Sequence, residues 1–400
     1  MMLPNGWKEV KLGDICDKIG SGSTPKGGRE VYLNAGIPII RSQNVLNGFL
    51  DLSDVAFISD EQHAKMKGTW VHPNDILLNI TGASIGRSCV VPATVKTANV
   101  NQHVCIIRLK ECADACYVCN LILSKDVQKQ IELLSVGGGR QGLNFQQISS
   151  FSFLLPPLEE QKKIAATLSV WDTAIEKMEK LIDAKESLLT EYGKELFGRT
   201  EQKQNENWST IALSEVLNEH GHKSTGEEEV FSVSVHKGLV NQIEHLGRSF
   251  AAKDTSNYNR VHYGDIVYTK SPTGDFPLGI VKQSLIKEDV IVSPLYGVFT
   301  PKTFELGVIL DFYFSSPINA NNYLHPVAQK GAKNTINITN KKFLSAKLRL
   351  PIDVKEQKKI AQFVQTTKKE MAVLQEILEN YKKQKQGLMQ KLLTGEWRVK

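Results

Sequence analysis

The sequence has no run approaching the roughly 20 consecutive apolar residues that a spanning helix needs, which argues against a helical membrane protein. Its start, Met1-Met2-Leu3-Pro4-Asn5-Gly6-Trp7, shows no basic stretch leading into an apolar one. No signal peptide is therefore expected, and the expected location is cytoplasmic. Cysteine is absent beyond the first third of the chain. Cys16, Cys89, Cys105, Cys112, Cys116 and Cys119 cannot staple the whole molecule, and a reducing compartment fits them. No strong excess of one charge occurs either: the net charge of +6 is compatible with a nucleic-acid partner without pointing to one. With 41 % apolar and 23 % charged residues the chain is neither disordered nor fibrous. At 400 residues it exceeds one typical core, so two or three domains are expected.

Catalytic signatures are also lacking. Gly82-Ala83-Ser84-Ile85-Gly86 has the spacing of a nucleophile elbow, which requires a strand before it and a helix after it. The sequel Arg87 to Pro92 reads instead as a strand, so a tight turn between strands is expected, and a hydrolase using Ser84 stays a remote alternative. Gly193 to Thr200 imitates a phosphate-binding loop, but Arg199 stands where lysine is required and the segment ends a helix. Cys112, Cys116 and Cys119 have no second cysteine pair to complete a zinc site, and they fall in a helical stretch from Ala113 to Ile131. His220-Gly221-His222 reads as a solvated turn. No metal site and no catalytic residue is expected, and no base-methylating Asn-Pro-Pro-aromatic or Asp-Pro-Pro-aromatic run occurs.

What the chain does contain is itself, twice. Glu160-Gln161-Lys162-Lys163-Ile164-Ala165 recurs half a chain later as Glu356-Gln357-Lys358-Lys359-Ile360-Ala361, each copy preceded by a Leu-Pro pair, Leu155-Pro156 and Leu350-Pro351. Trp7, Leu12 and Ile15 echo in Trp208, Leu213 and Val216. Val71-His72 before Asp75-Ile76 echoes in Val261-His262 before Asp265-Ile266. A duplication, not a short-period solenoid, is the reading.

Behind each Leu-Pro pair lies a long heptad-like seam. In the first helix Ile164, Leu168, Trp171, Ile175, Met178, Ile182 and, through Lys185, Leu189 alternate at four and three residues. In the second Ile360, Val364, Met371, Leu374, Leu378 and Leu388 do the same, with polar interruptions at Thr367 and Lys385. About 40 helical residues make a rod of roughly 60 Å. Such rods suit packing on each other, the bland alternative being that each packs on its own domain. Gly198 and Gly395 are stop signals. Strand-like runs at 37–40, 75–80, 104–109, 230–235, 265–268 and 296–299 give both mixed segments an α+β reading. The expected domains are 1–155, a helix over 156–199, 200–350, and a helix over 351–400.

Trp7 with Leu12-Gly13-Asp14-Ile15, the duplicated Leu-Pro and Glu-Gln-x-x-Ile-Ala pattern, and the closing Gly387-Leu388-Met389-Gln390-Lys391-Leu392-Leu393-Thr394-Gly395 resemble the specificity subunit of type I restriction-modification enzymes. The resemblance spans the whole chain. Two details depart from it: one extra residue lies between Leu350-Pro351 and Glu356, and Leu213-Ser214-Glu215-Val216 replaces Leu-Gly-Asp-Ile.

The resemblance implies an α+β fold of two similar target-recognition domains separated by two long antiparallel coiled-coil helices, an internal pseudo-two-fold repeat. Each domain would read one half of a bipartite target in double-stranded DNA, and helix length would set the spacer. Two methylation subunits would dock and methylate adenine, and restriction subunits would add cleavage. S-adenosylmethionine, ATP and Mg2+ are expected on those partners and no cofactor on this chain, which would be non-catalytic. A specificity subunit of a fused methylase-nuclease system has the same architecture and stays open, as does a protein scaffold that binds no DNA.

Direct readout favours Arg, Lys, Asn and Gln on loops. The expected DNA contacts in the first domain are Arg41, Gln43, Asn44, Asn101, Gln102, His103, Arg140, Gln141 and Asn144, with Arg87 on phosphate. In the second they are Lys237, Lys270, Thr273, Lys330, Lys333, Asn334 and Asn337. Both mixed segments are close to neutral and the second helix region is the basic one, so DNA binding by the chain alone is expected to be weak and salt-sensitive.

Overall fold

The structure is a computed structural model and describes residues 4–25, 31–135, 142–198, 206–243, 254–330 and 336–399. The chain divides into two compact units, Met1–Glu179 with Ile377–Lys400, and Lys180–Glu376. The division falls inside both long helices, Leu158–Phe197 and Val354–Leu393.

In the first unit the strands are β1 (Lys8–Lys11), β2 (Cys16–Ser21), β3 (Ile37–Ile40), β4 (Ala56–Ile58) and β5 (Trp70–Val71). They continue with β6 (Ile76–Asn79), β7 (Ser88–Val90), β8 (Ala98–Val100), β9 (Val104–Leu109) and β10 (Ser152–Leu155). Its central sheet is antiparallel in the order β2-β9-β6-β7, and a second runs β4-β3-β8-β5. β1 pairs with β10, so the unit opens and closes in one ribbon.

The second unit repeats this plan. Its strands are β11 (Trp208–Ala212), β12 (Leu217–Glu219), β13 (Phe231–Ser234), β14 (Gly238–Asn241), β15 (Asn259–Val261) and β16 (Ile266–Tyr268). Then come β17 (Val281–Gln283), β18 (Val290–Val292), β19 (Gly297–Pro301), β20 (Gln329–Lys330), β21 (Ile336–Asn337) and β22 (Lys347–Pro351). The central sheet runs β12-β19-β16-β17, again antiparallel, and β11 pairs with β22 as β1 does with β10. Ile76 faces Ile107 where Ile266 faces Phe299, so the register repeats as well.

Each sequence echo has a structural cause. Leu12 and Leu213 are fully buried at the start of a short 3-10 turn, their N–H groups donating to Phe151 O and Ala346 O. In the Val-His-x-x-Asp-Ile turns, Asp75 accepts from His72 N at 2.7 Å and Asp265 from His262 N at 2.8 Å. The residue before each aspartate, Asn74 or Gly264, has positive φ, which closes the turn into β6 or β16. Asp75 is then paired bidentately by Arg108, whereas Asp265 receives Thr300 and His220.

The Glu-Gln motif places its glutamine inside. Gln161 Nε2 donates to Pro156 O (2.9 Å) and Cys112 O (3.2 Å), and its Oε1 accepts from Asp114 N at 2.8 Å. Gln357 Nε2 donates to Pro351 O (3.0 Å), and its Oε1 accepts the Thr303 hydroxyl at 2.7 Å. Asp114 and Thr303 are the N-caps of matching helices, Ala115–Leu123 and Phe304–Phe314. One side chain thus joins the end of the ribbon, the start of the long helix and the cap of the domain helix. Ile164 and Ala165, like Ile360 and Ala361, are buried one turn further on.

Every seam residue named above is buried or half-buried, while the residues between them are mostly exposed. The helices pair antiparallel in each unit. In the first, Trp171 meets Tyr381 edge-on at 5.6 Å, Lys385 reaches Asp172, and Lys382 reaches Glu179 at 2.8 Å. In the second, Lys185 reaches Glu370 at 2.6 Å and Tyr192 packs on Phe363. The second helix ends before Gly395, whose φ of +73° suits glycine, and a Cβ there would lie 2.6 Å from Pro4 Cγ.

One expected helix is two. The stretch 113–131 breaks at Ser124, whose hydroxyl donates to Leu121 O and accepts from Val127 N, closing Ala115–Leu123 and capping Lys125–Ser135. Cys105 and Cys119 are packing residues, their thiols pushed up to about 12 by burial.

Replacing Gln161 or Gln357 by leucine leaves buried backbone groups unpaired and is expected to lower stability by roughly 2–4 kcal/mol. Denaturant unfolding measures it, and a loss under about 1 kcal/mol would remove the glutamine from its bracing role.

Candidate nucleic-acid interface

Four loops of the first unit meet at the C-terminal end of β6. Asn79 N donates to Arg87 O at 2.9 Å and Gly86 N to Asn79 O at 3.0 Å. Ile80 N donates to His103 O (3.0 Å), and Ile80 O accepts from Leu143 N (2.9 Å). The Asn79 side chain reaches out of the sheet, its Nδ2 donating to Ser42 O at 2.8 Å. The loops carrying Arg41 to Asn44, Arg87, Asn101 to His103 and Asn144 are therefore built around one strand end.

Within that cluster the expected contact residues divide by exposure. Gln43, Arg87, Gln102 and Asn144 are exposed, Arg41 and His103 half-buried, and Asn44 and Asn101 buried. Asn44 spends its amide on its own loop, accepting from Arg41 N and donating to Asp51 O and Asp54 O. Asn101 Oδ1 accepts from His103 N. Arg41 Nη2 donates to Asp54 O, and Gln43 Nε2 to Asp54 Oδ2 at 3.0 Å. His103 Nδ1 lies 2.7 Å from the Thr81 hydroxyl and its Nε2 3.1 Å from Gln102 Nε2, while Thr24 bonds Gln102 Oε1. With Gln102 donating to Nε2, the proton of His103 sits on Nδ1. Asn144 caps the Phe145–Ser149 helix. Arg140 and Gln141 lie outside the described residues.

Asn79 and Thr81 escaped the sequence reading. The available signal was a polar residue closing the apolar run Ile76-Leu77-Leu78-Asn79. The decoy Ser84 sits in a 3-10 turn, Gly82–Ser84, followed by strand β7, which is the context of a turn and not of a nucleophile elbow.

In the second unit the expected residues lie on three segments. Lys270 and Thr273 follow β16; Lys237 is exposed in the β13–β14 turn, its N–H donating to Ser234 Oγ; Lys330 and Asn337 lie on the two strands of the β20–β21 ribbon, Lys330 paired with Ile336 and Asn337 with Gln329. Lys333 and Asn334 lie outside the described residues. Lys270 has positive φ, and burial pushes its ammonium below the usual lysine range while Glu219 works the other way.

A family profile described as the type I restriction modification DNA specificity domain matches residues 4–186 and again 205–382. The chain is 25 % identical to the putative type I restriction enzyme MjaX specificity subunit of Methanocaldococcus jannaschii, across all of this chain and 95 % of that protein. It is 23 % identical to the MjaVIII specificity subunit of the same organism, with the same coverage. Among solved structures it is similar to the type I restriction-modification S subunit of M. genitalium, with TM-score 0.63, 16 % identity and 98 % of each chain covered. A chain from a structure on complex assembly and conformational transition of the type I R-M system gives TM-score 0.53, at 16 % identity, over 99 % of this chain and all of that one.

Asn79→Ala takes the side chain away from the Ser42 carbonyl and is expected to cost about 2 kcal/mol in denaturant unfolding, whereas the exposed Arg87→Ala changes stability by less than about 0.5 kcal/mol. Equal effects would mean that Asn79 does not hold the loop.

Proposed function

The chain belongs to the type I restriction-modification DNA specificity family, and on that premise we propose how it confers sequence specificity. Each recognition domain reads one half of a bipartite duplex target. The long helices set the unspecified spacer and dock two methylation subunits, which methylate an adenine in each half-site. Restriction subunits add ATP-driven cleavage. This chain supplies recognition alone, with S-adenosylmethionine, ATP and Mg2+ held by its partners.

The observation that carries this reading is the repeat of a whole framework, ribbon, sheet order, register and glutamine brace, beneath loops that do not repeat. A duplicated frame with different loops suits a target whose halves differ in sequence. In the first unit the loops present Gln43, Arg87, Gln102 and Asn144 to solvent at one sheet end, residue types able to reach base edges and phosphate. Each long helix runs unbroken for 40 residues, roughly 60 Å, a length suited to a ruler.

Modified-base sequencing of DNA from cells expressing this chain with its methylation subunit tests the proposal. A split motif methylated on adenine in both halves, and lost without this chain, is the expected result. Unchanged methylation with an active methylation subunit would overturn it. Deleting one heptad from each long helix at matched positions removes about 10 Å of rise and is expected to shorten the spacer by about 3 base pairs, both half-sites being kept. An unaltered spacer would refute the ruler.

A further inference from the structure

Three histidines gather at the turn into β16, whereas the counterpart turn in the first unit has only His72. His220 and His222 follow β12, and His262 opens the turn; one ring nitrogen from each lies within 4.8 Å of the others. The solvated turn expected at Gly221 describes His222, which is exposed, but His220 has only 8 % of its side chain exposed. We propose that His220, His222 and His262 bind a zinc ion, with a water in the fourth position.

The hydrogen bonds assign the donor atoms. His220 Nε2 is 2.9 Å from Asp265 Oδ2 and must donate to it, because a carboxylate only accepts. That leaves a lone pair on His220 Nδ1, a buried atom without a protein partner. His262 Nδ1 likewise donates to Asp289 Oδ1 at 2.8 Å, leaving its Nε2 lone pair facing the cluster. His222 Nδ1 lies 2.8 Å from that nitrogen, and a metal takes the place of the proton between them, with the His222 proton on its outer nitrogen.

A carboxylate behind a ligating imidazole is the usual outer partner of a zinc histidine, fixing tautomer and ring direction. Two of the three histidines have one. Asp265 is held in place behind His220 by His262 N at 2.8 Å and by the Thr300 hydroxyl at 2.7 Å. Three neutral imidazoles with an open fourth position suit zinc. Nor does the fold require the cluster. In the first unit the same turn closes with Arg108 on Asp75 and with His72 exposed. The ion would staple the exit of β12 to the turn before β16, at the opposite end of β16 from Lys270 and Thr273.

Titrating zinc into the metal-free full chain is expected to show one site, with affinity reduced at least tenfold by His222→Ala and 10- to 100-fold by Asp289→Asn. His222 is exposed, so its variant keeps the fold, which circular dichroism of the metal-free proteins checks. Cobalt substitution is expected to give visible tetrahedral bands without near-ultraviolet thiolate absorption. Failure of the wild type to bind zinc at micromolar concentration, binding unchanged by both variants, or a thiolate band placing the metal on the cysteines would each overturn the proposal.

Discussion

The architecture rests on one buried amide at the foot of each long helix. A helix leaving a domain has four unpaired N–H groups at its start and nothing in its own turns to fix its direction. Gln161 and Gln357, almost completely buried, bind backward to the proline at the end of the closing ribbon, Pro156 just past it or Pro351 as its last residue, and sideways to the N-cap of a domain helix. A buried amide without partners is costly, so the three segments have to meet in one arrangement. The ribbon brings the two ends of each domain together at the same place, so helix direction and domain closure are settled jointly.

Around this shared brace the copies differ in how they are tied. In the first unit Glu160, next to the glutamine, accepts from Trp7 Nε1 and from Nε and Nη2 of Arg398, drawing chain start, helix foot and chain end into one cluster. In the second, Glu356 is half-buried and Asp353 caps the helix by accepting from Glu356 N, while Arg349 lies over the Trp208 ring at 5.4 Å. The motif residue is retained for two purposes: a clamp in one copy, a member of the first helical turn in the other.

The seam, the duplicated helix starts and several strands were legible because their signals are local and periodic. Strand Val104–Leu109 and strand Ile37–Ile40 have the bounds their apolar runs suggest. Sheet order was not legible. β2 pairs with β9 across more than 80 residues, and strands of two to six residues carry too little pattern to name their partners. Loop polarity misled at Asn44 and Asn101, where a short amide serves the loop's own backbone. The histidines misled for another reason: His220 and His222 are two residues apart, but the third member is 40 positions away and joins them only through the antiparallel sheet.

The two copies diverge most tellingly at one position. Asn79, the last residue of β6, and Thr269, the first residue past β16, occupy the same step of the repeat, and both are almost fully buried. Asn79 is long enough to leave the sheet and hold the Ser42 carbonyl, so the loop after β3 is drawn to the strand end. Thr269 is too short for that, and its hydroxyl accepts from Ile280 N, turning the polarity back onto the neighbouring segment. The next residue follows suit: Ile80 is buried, whereas Lys270 is half-buried in a left-handed conformation. At one fixed step of the repeated sheet, one side chain thus ties a distant loop to the strand end in one copy and only the neighbouring segment in the other. The frame stays constant because the buried glutamine, the ribbon and the aspartate turn lie away from that step, which leaves the loops free to differ.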